Sequence, residues 1–236
     1  MEFHIDEQIF SLFPGIRFVC VIAQGMNAHP DTDAIHQSLT AARANAGAAA
    51  TAYGNPQSHP YIKPWAQRMQ SLGAPRKKFP SSIEAMVKRA GKGGEPFHIL
   101  PAVDFYNAIS LANIVPVGGF DIDQMEHGLT LRLSEDGDRF MALDGAEEEP
   151  VPAGEVSYAD GSKIVTRHFV WKQSRHLLLN ETTKDIFFVS EILGELPEDT
   201  AEKVSAALVE GLRSCFHIEV SPHILDETHP DLIIKA

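Results

Sequence analysis

Residues 103–123 read VDFYNAISLANIVPVGGFDID. Asp104, Asn107 and either Ser110 or Leu111 recur three and four residues apart, so they share one face of a helix over 102–112. Val103, Ile109 and Ala112 cover another face. A short helix with a polar stripe between apolar flanks either faces water or lines a polar cleft. The aromatic Tyr106 and the Pro-x-Gly-Gly that follows favour the cleft. Gly118 and Gly119 read as a tight turn, since glycine accepts positive φ cheaply. They also read as a place where a ligand can approach bare backbone, and the two readings are compatible.

Working outward, residues 17–23, RFVCVIA, read as a buried strand. Residues 31–46 read as a helix that Asp31 or Thr32 caps, with Ile35, Leu39, Ala42 and Ala46 at helical spacing. Pro60 opens a further helix with Ile62, Trp65, Met69 and Leu72 on one side, and Gly73-Ala-Pro75 stops it. Ser81-Ser-Ile-Glu84 fits a capping box, and Met86, Val87 and Ala90 continue a helix that Gly91 ends. After Pro116 the pattern changes. The segments 129–133, 139–143, 155–159, 163–171, 185–193 and 217–221 are short, β-branched or aromatic, and separated by turn residues. Residues 199–215 form a last amphipathic helix with Val204, Leu208, Leu212 and Cys215 on its apolar face. The order predicts an α+β fold: a helical N-terminal part packed on a mostly antiparallel, sandwich-like β part.

Hydrophobic residues make up 44% and charged residues 22% of the 236-residue chain, an ordinary globular balance. No apolar run approaches the roughly 20 residues of a membrane span. The first residues, MEFHIDEQIF, lack the basic and apolar regions of a secretory signal. Cys20 and Cys215 sit among apolar neighbours, as reduced, buried thiols do. A cytoplasmic protein without a membrane partner is expected.

The formal net charge of −12 disfavours a protein that coats nucleic acid through its global field. A local exception runs from Arg76 through Lys77, Lys78, Lys88 and Arg89 to Lys92, against the single acid Glu84. It is either a solvated face or a phosphate-contacting patch for RNA.

Standard catalytic signatures are missing: no G-x-S-x-G, no Walker loop, no H-E-x-x-H and no paired C-x-x-C. Neither a metal nor a cofactor is expected. His223, Asp226 and His229 could converge but read as exposed loop residues. The stretch TRHFVWKQSRH (166–176) is a second polar constellation. In strand geometry Arg167, Phe169 and Trp171 point one way, and His168, Val170 and Lys172 the other. An Arg and a Trp two apart could hold a planar or acidic ligand, or form a surface cation–π pair.

Residues 103–145, VDFYNAISLANIVPVGGFDIDQMEHGLTLRLSEDGDRFMALDG, resemble the B3/B4 domain of the phenylalanyl-tRNA synthetase β subunit. Its pattern is a V-D-x-T-N-Y-V helix, then Q-P-x-H-A-F-D-L-D, a strand and L-D-G. NETTKDIFFVSE (180–191) is similar to its later T-x-N-V-L-L-E stretch. Freestanding B3/B4-domain proteins resemble the chain more fully, through HPYIKPW (59–65), SSIEAMVKR (81–89), VPVGGFDID (115–123), GEVSYAD (154–160) and RHFVWKQS (167–174). The resemblance implies a single domain over 1–236 with its best-matched core at about 55–195.

In the synthetase this domain is an editing site that hydrolyses tRNA mischarged with tyrosine. Asp104, Asn107, Pro116, Phe120, Asp121, Asp123 and Asp144-Gly145 match its pattern. The departures are specific: Gly118 stands where the family has its editing histidine, and Tyr106 where it has threonine. Val189 stands where a glutamate senses the tyrosine hydroxyl, with Glu191 two residues on. The bulky HFVWKQS replaces a Gly-rich strand, so tyrosine specificity is not implied.

The resemblance thus implies a freestanding deacylase that edits a mischarged aminoacyl-tRNA in trans. Asn107 would position water, the Gly118-Gly119 backbone would hold the oxyanion, and Arg167 would take a phosphate or carboxylate. Asp104, Tyr106, Ser110, Trp171 and Gln173 would contact substrate. The alternative is a non-catalytic module that binds an amino acid, a small metabolite or an RNA end. Under either reading, helix 102–112, the glycine turn and strand 163–174 are expected to line one pocket.

Overall fold

The computed structural model describes residues 1–26 and 29–235. Strand β1 (Glu2–Ile5) leads into helix α1 (Glu7–Leu12) and strand β2 (Arg17–Ala23). Helices α2 (Thr32–Ala52), α3 (Lys63–Ser71), α4 (Ser82–Ala90) and α5 (Pro101–Asn113) follow. Then come the strands β3 (Gly118–Asp121), β4 (Leu129–Leu133), β5 (Arg139–Phe140), β6 (Glu149–Pro150) and β7 (Val156–Asp160). Short strands β8 (Lys163–Ile164), β9 (Thr166–Arg167) and β10 (Lys172–Gln173) precede the long β11 (Ile186–Ile192). Helix α6 (Thr200–Phe216), β12 (Pro222–Leu225) and β13 (Asp231–Ile233) complete the α+β fold.

Local chemistry sets the helix ends. The Asp31 carboxylate accepts from the Ala34 N–H and starts α2. Ser81 Oγ accepts from the Glu84 N–H and starts α4, but the Glu84 carboxylate turns to Arg76 instead of closing the capping box. Pro101 occupies the first turn of α5, where its missing N–H leaves no helical bond unmade. At the other end Ile114 takes a left-handed φ of 54°, and its N–H caps the Ser110 carbonyl.

The strands form two main sheets, ordered β13-β1-β4-β7-β8-β5-β6 and β12-β2-β11-β3 among the described residues. Pairing is antiparallel except for β1 with β4 and β5 with β8. The inner faces meet through aromatic rings: Phe3 of the larger sheet lies 5.3 Å from Phe187 and 6.3 Å from Phe18 of the smaller. The other face of the smaller sheet is covered by α5 and α6, where Phe105 packs on Phe188 at 5.9 Å and on Phe216 at 5.3 Å. Helices α2, α4 and α5 share a second apolar cluster built from Leu39, Ala46, Ile83, Val87 and Leu111.

Three expected elements differ. The strand expected over 217–221 begins only at Pro222, because His217 at φ 58° caps the C-terminus of α6. The glycine turn at 118–119 is instead the start of strand β3, with Gly118 opposite Val189. The single strand expected over 163–171 breaks in two. His168 and Phe169 take left-handed φ values of 45° and 62°, and the chain folds back so that Arg167 pairs with Lys172. A left-handed phenylalanine costs roughly 1–2 kcal/mol. Complete burial of the Phe169 ring against Phe13 and Trp65, at 5.1 and 5.4 Å, offsets that cost.

Candidate functional site

A cleft of about 280 Å³ opens where α4, α5, the smaller sheet and the β9–β10 hairpin meet. Its floor is one face of the sheet. Side chains alternate along a strand, so Val189 and Glu191 of β11 point the same way, and Gly118 of β3 lies beside Val189. Tyr106 and Asn107 of α5 form one wall, and Ser82, Met86 and Arg89 of α4 another. Trp171, Lys172 and Gln173 enter from the hairpin. Arg89 is exposed and Lys172 half-buried, so the rim is cationic.

Gly118 is the gap in this floor. A Cβ built there would meet nothing within 4 Å, and its φ is not positive. The glycine therefore serves space, not turn geometry. Gly119 differs: its Cβ would press on Ile186, Leu179 and Phe188 at 3.2, 3.3 and 3.4 Å. Because β3 is the edge of its sheet, the Gly119 carbonyl is free to accept from Gln173 Nε2 at 3.4 Å.

The polar stripe of α5 divides between structure and cleft. Asp104 is buried, and its Oδ1 accepts from the Ile99 N–H while Oδ2 meets His98 Nδ1 at 2.9 Å. Ser110 is fully buried and donates to the Val115 carbonyl. Neither lines the cleft, which corrects their expected contact with substrate. Asn107 does line it, and among the described residues its amide has no hydrogen-bond partner, unlike Asp104, Ser110 and Asn113 around it. Burial of the Tyr106 phenol, with Asp104 nearby, pushes its pKa up to about 12.

Arg167 is a second correction. It does not reach the cleft, because its guanidinium is already paired. Nε and a terminal nitrogen donate to the two Glu155 oxygens at 2.5 and 2.7 Å, and the His168 N–H adds a third bond at 2.7 Å. The hairpin turn at His168 and Phe169 swings Arg167 to the side opposite Trp171, so the expected Arg–Trp pair does not form. Of the basic run, Arg76 pairs with Glu84 at 3.1 Å, and Arg89 stands at the cleft rim. Lys77, Lys78, Lys88 and Lys92 are exposed. Asp226 closes a local turn on Thr228 and His229, and His223 stands apart on β12.

Sequence reasoning noted Glu191 beside Val189 but missed its pairing with Tyr158 at the base of the cleft. Tyr158, from β7 of the larger sheet, donates to Glu191 Oε1 at 2.6 Å. Burial pushes the Glu191 carboxyl up to about 7, although the Tyr158 bond favours its charged form. Burial and the neighbouring Glu191 also push the Tyr158 phenol and the Cys20 thiol well up. The signal for Glu191 was an acid inside the fully buried, mostly apolar strand IFFVSEI.

The B3/4 domain model matches residues 67–204, more than half of the chain and every wall of this cleft. The chain belongs to the B3/4 domain family. A crystal structure of an N-terminal fragment of the phenylalanyl-tRNA synthetase β subunit from Pyrococcus horikoshii is similar over 92% of this chain, with 10% identity and a TM-score of 0.45. The chain spans 49% of that fragment's length. No curated protein matches the chain. Within this B3/4 domain Tyr106, Gly118 and Val189 come together on the one cleft, with Glu191 beside them. No helix among the described residues is long and apolar enough to cross a membrane.

Proposed function

We propose that this B3/4 domain is a trans-acting deacylase of a mischarged aminoacyl-tRNA and that the cleft holds the aminoacyl ester. The observation that carries the reading is the floor at Gly118, open where any other residue would place a side chain. A planar ester can lie against bare backbone there. The unpartnered Asn107 amide can accept a hydrogen bond from the attacking water and donate to the developing oxyanion. The free edge of β3 at Gly119 supplies backbone polarity beside it. Water adds to the carbonyl carbon, the bond to the ribose oxygen breaks, and that oxygen takes the proton. Free amino acid and tRNA result. Arg89 and Lys172 suit the terminal phosphate, in place of Arg167. Exposed Lys77, Lys78, Lys88 and Lys92 offer further phosphate contacts on an otherwise acidic body. Two buried free thiols fit a reducing compartment such as the cytoplasm.

The test is hydrolysis of a full panel of mischarged tRNAs. Release of free amino acid from one of them, lost in Asn107→Ala, is the expected result. Failure on every member sinks the enzyme reading.

One observation favours a second reading, a non-catalytic module that binds an amino acid or metabolite. Among the described cleft residues Glu191 is the one carboxyl, and it is buried, held toward its neutral form and tied to Tyr158. Its burial and its bond to Tyr158 leave it poorly placed to act as a general base. A thermal-shift screen with free amino acids and adenosine analogues separates the readings: a saturable ligand without ester hydrolysis supports the module.

A further inference from the structure

Outside the cleft, three metal-ligating side chains converge from separate elements. His36 projects from α2, Asp104 from α5, and His98 from the segment 91–100 that joins α4 to α5. Asp104 Oδ2 lies 2.9 Å from His98 Nδ1 and 3.4 Å from His36 Nε2, and the two imidazole rings stack with centroids 3.6 Å apart. All three donor atoms lie within 4.8 Å of one another. We propose that His36, His98 and Asp104 bind a first-row divalent transition metal ion, most suitably zinc.

The geometry fits. Metal–ligand bonds of about 2.0–2.1 Å in a tetrahedral site place donor atoms roughly 3.3–3.4 Å apart. The Asp104–His36 separation is already there, and the Asp104–His98 pair must open by a few tenths of an ångström. The Ile99 N–H holds Asp104 Oδ1, so Oδ2 is presented to the ion, as outer hydrogen bonds orient a ligating carboxylate. Asp104 is 1% exposed, whereas the histidines are 35% and 41% exposed. The ion therefore has an anionic base and an open side to water. Two nitrogens and one oxygen suit zinc, cobalt or nickel better than calcium or magnesium. On binding, each histidine moves its proton to the ring nitrogen facing away from Asp104.

The ion would fasten a segment that, among the described residues, is held by side-chain bonds at its two ends. Arg43 bonds the Gly93 and Gly94 carbonyls at one end, and Asp104 holds Ile99 and His98 at the other. Between them Phe97 is 85% exposed. Phe97 and Ile99 wall a groove of about 380 Å³ that Asn107 and Arg89 share with the cleft. Metal loading would fix that wall.

The test uses tag-free protein stripped with a chelator and titrated with cobalt(II) and zinc(II). One equivalent of cobalt with visible ligand-field absorption is expected, with zinc displacing it. Zinc at a hundredfold excess over its Kd should raise the melting temperature by about 5–10 °C. His36→Gln and His98→Gln, both at partly exposed positions, should each weaken binding at least about tenfold. His229→Gln, at the turn on Asp226, should leave it unchanged. Absence of stoichiometric binding, or binding that survives both His36→Gln and His98→Gln, overturns the proposal.

Discussion

Tyr158 Oη lies 2.6 Å from Glu191 Oε1, and that one hydrogen bond joins the larger sheet to the smaller at the base of the cleft. Neither partner touches bulk water: Tyr158 is 1% and Glu191 4% exposed. A carboxyl in that position is easier to keep neutral than ionised.

The consequence is a pH dependence of opposite sign to that of an ordinary paired carboxylate. Glu191 titrates at about 7 in the folded protein, against 4.5 as the usual value. Below the lower value both states hold the proton. Between the two, the unfolded chain releases it first, so stability falls as pH rises and the loss is complete above about 7. The whole effect is on the order of 3 kcal/mol. Urea denaturation of wild type and Glu191→Gln from about pH 5 to about pH 8 reads it directly, and the variant should lose this part of the slope. Identical slopes would mean that Glu191 is ionised in the folded protein.

The two adjacent glycines should respond in opposite ways. Gly118→Val places its side chain in open cleft space on a β-compatible backbone, so stability should change by less than about 1 kcal/mol while ligand binding and ester hydrolysis are lost. Gly119→Val forces three apolar neighbours apart and should cost roughly 1–3 kcal/mol. Melting and binding measured on the same samples separate the two. A large stability loss at Gly118 would show that the position is structural.

Arg167 should behave as a structural residue. Its partner Glu155 has a side chain only 6% exposed. Arg167→Met leaves that carboxylate buried with the His168 N–H as its remaining close donor, and should cost roughly 3–5 kcal/mol in denaturant titrations. The folded fraction should bind any cleft ligand with unchanged affinity. Lost affinity at unchanged stability would return Arg167 to the binding site.

The basic face is tested by salt. Each lysine–phosphate contact adds a slope of roughly −0.7 to −0.9 in log K against log salt. Changing Lys77, Lys78, Lys88 and Lys92 to Glu should weaken tRNA binding and flatten that slope, with binding of a free amino acid intact. If wild-type protein shows no salt-dependent tRNA binding even at low ionic strength, these lysines form only a solvated face.

Local signals in the sequence determined most of the elements. The strands at 17–23 and 186–192 and the helices expected over 102–112 and 199–215 follow from residue periodicity, and the helices starting at Thr32 and Ser82 also from side-chain caps that act within a few residues. The same signals marked Tyr106, Asn107 and Gly118 as unusual. Tertiary structure decided what each polar group does, because that depends on partners distant in sequence. Asp104 and Asn107 share a helical face, yet the 91–100 segment covers the first and leaves the second to the cleft. Arg167 and Trp171 lie on one face only if the strand is continuous. Burial of Phe169 among Phe13 and Trp65 breaks that strand and hands Arg167 to Glu155. Glu191 reads as a lone acid in a strand until the second sheet brings Tyr158 to it. Periodicity encodes which side of an element is buried. It carries no information about which buried groups meet, and that pairing sets both the protonation of Glu191 and the chemistry open to the cleft.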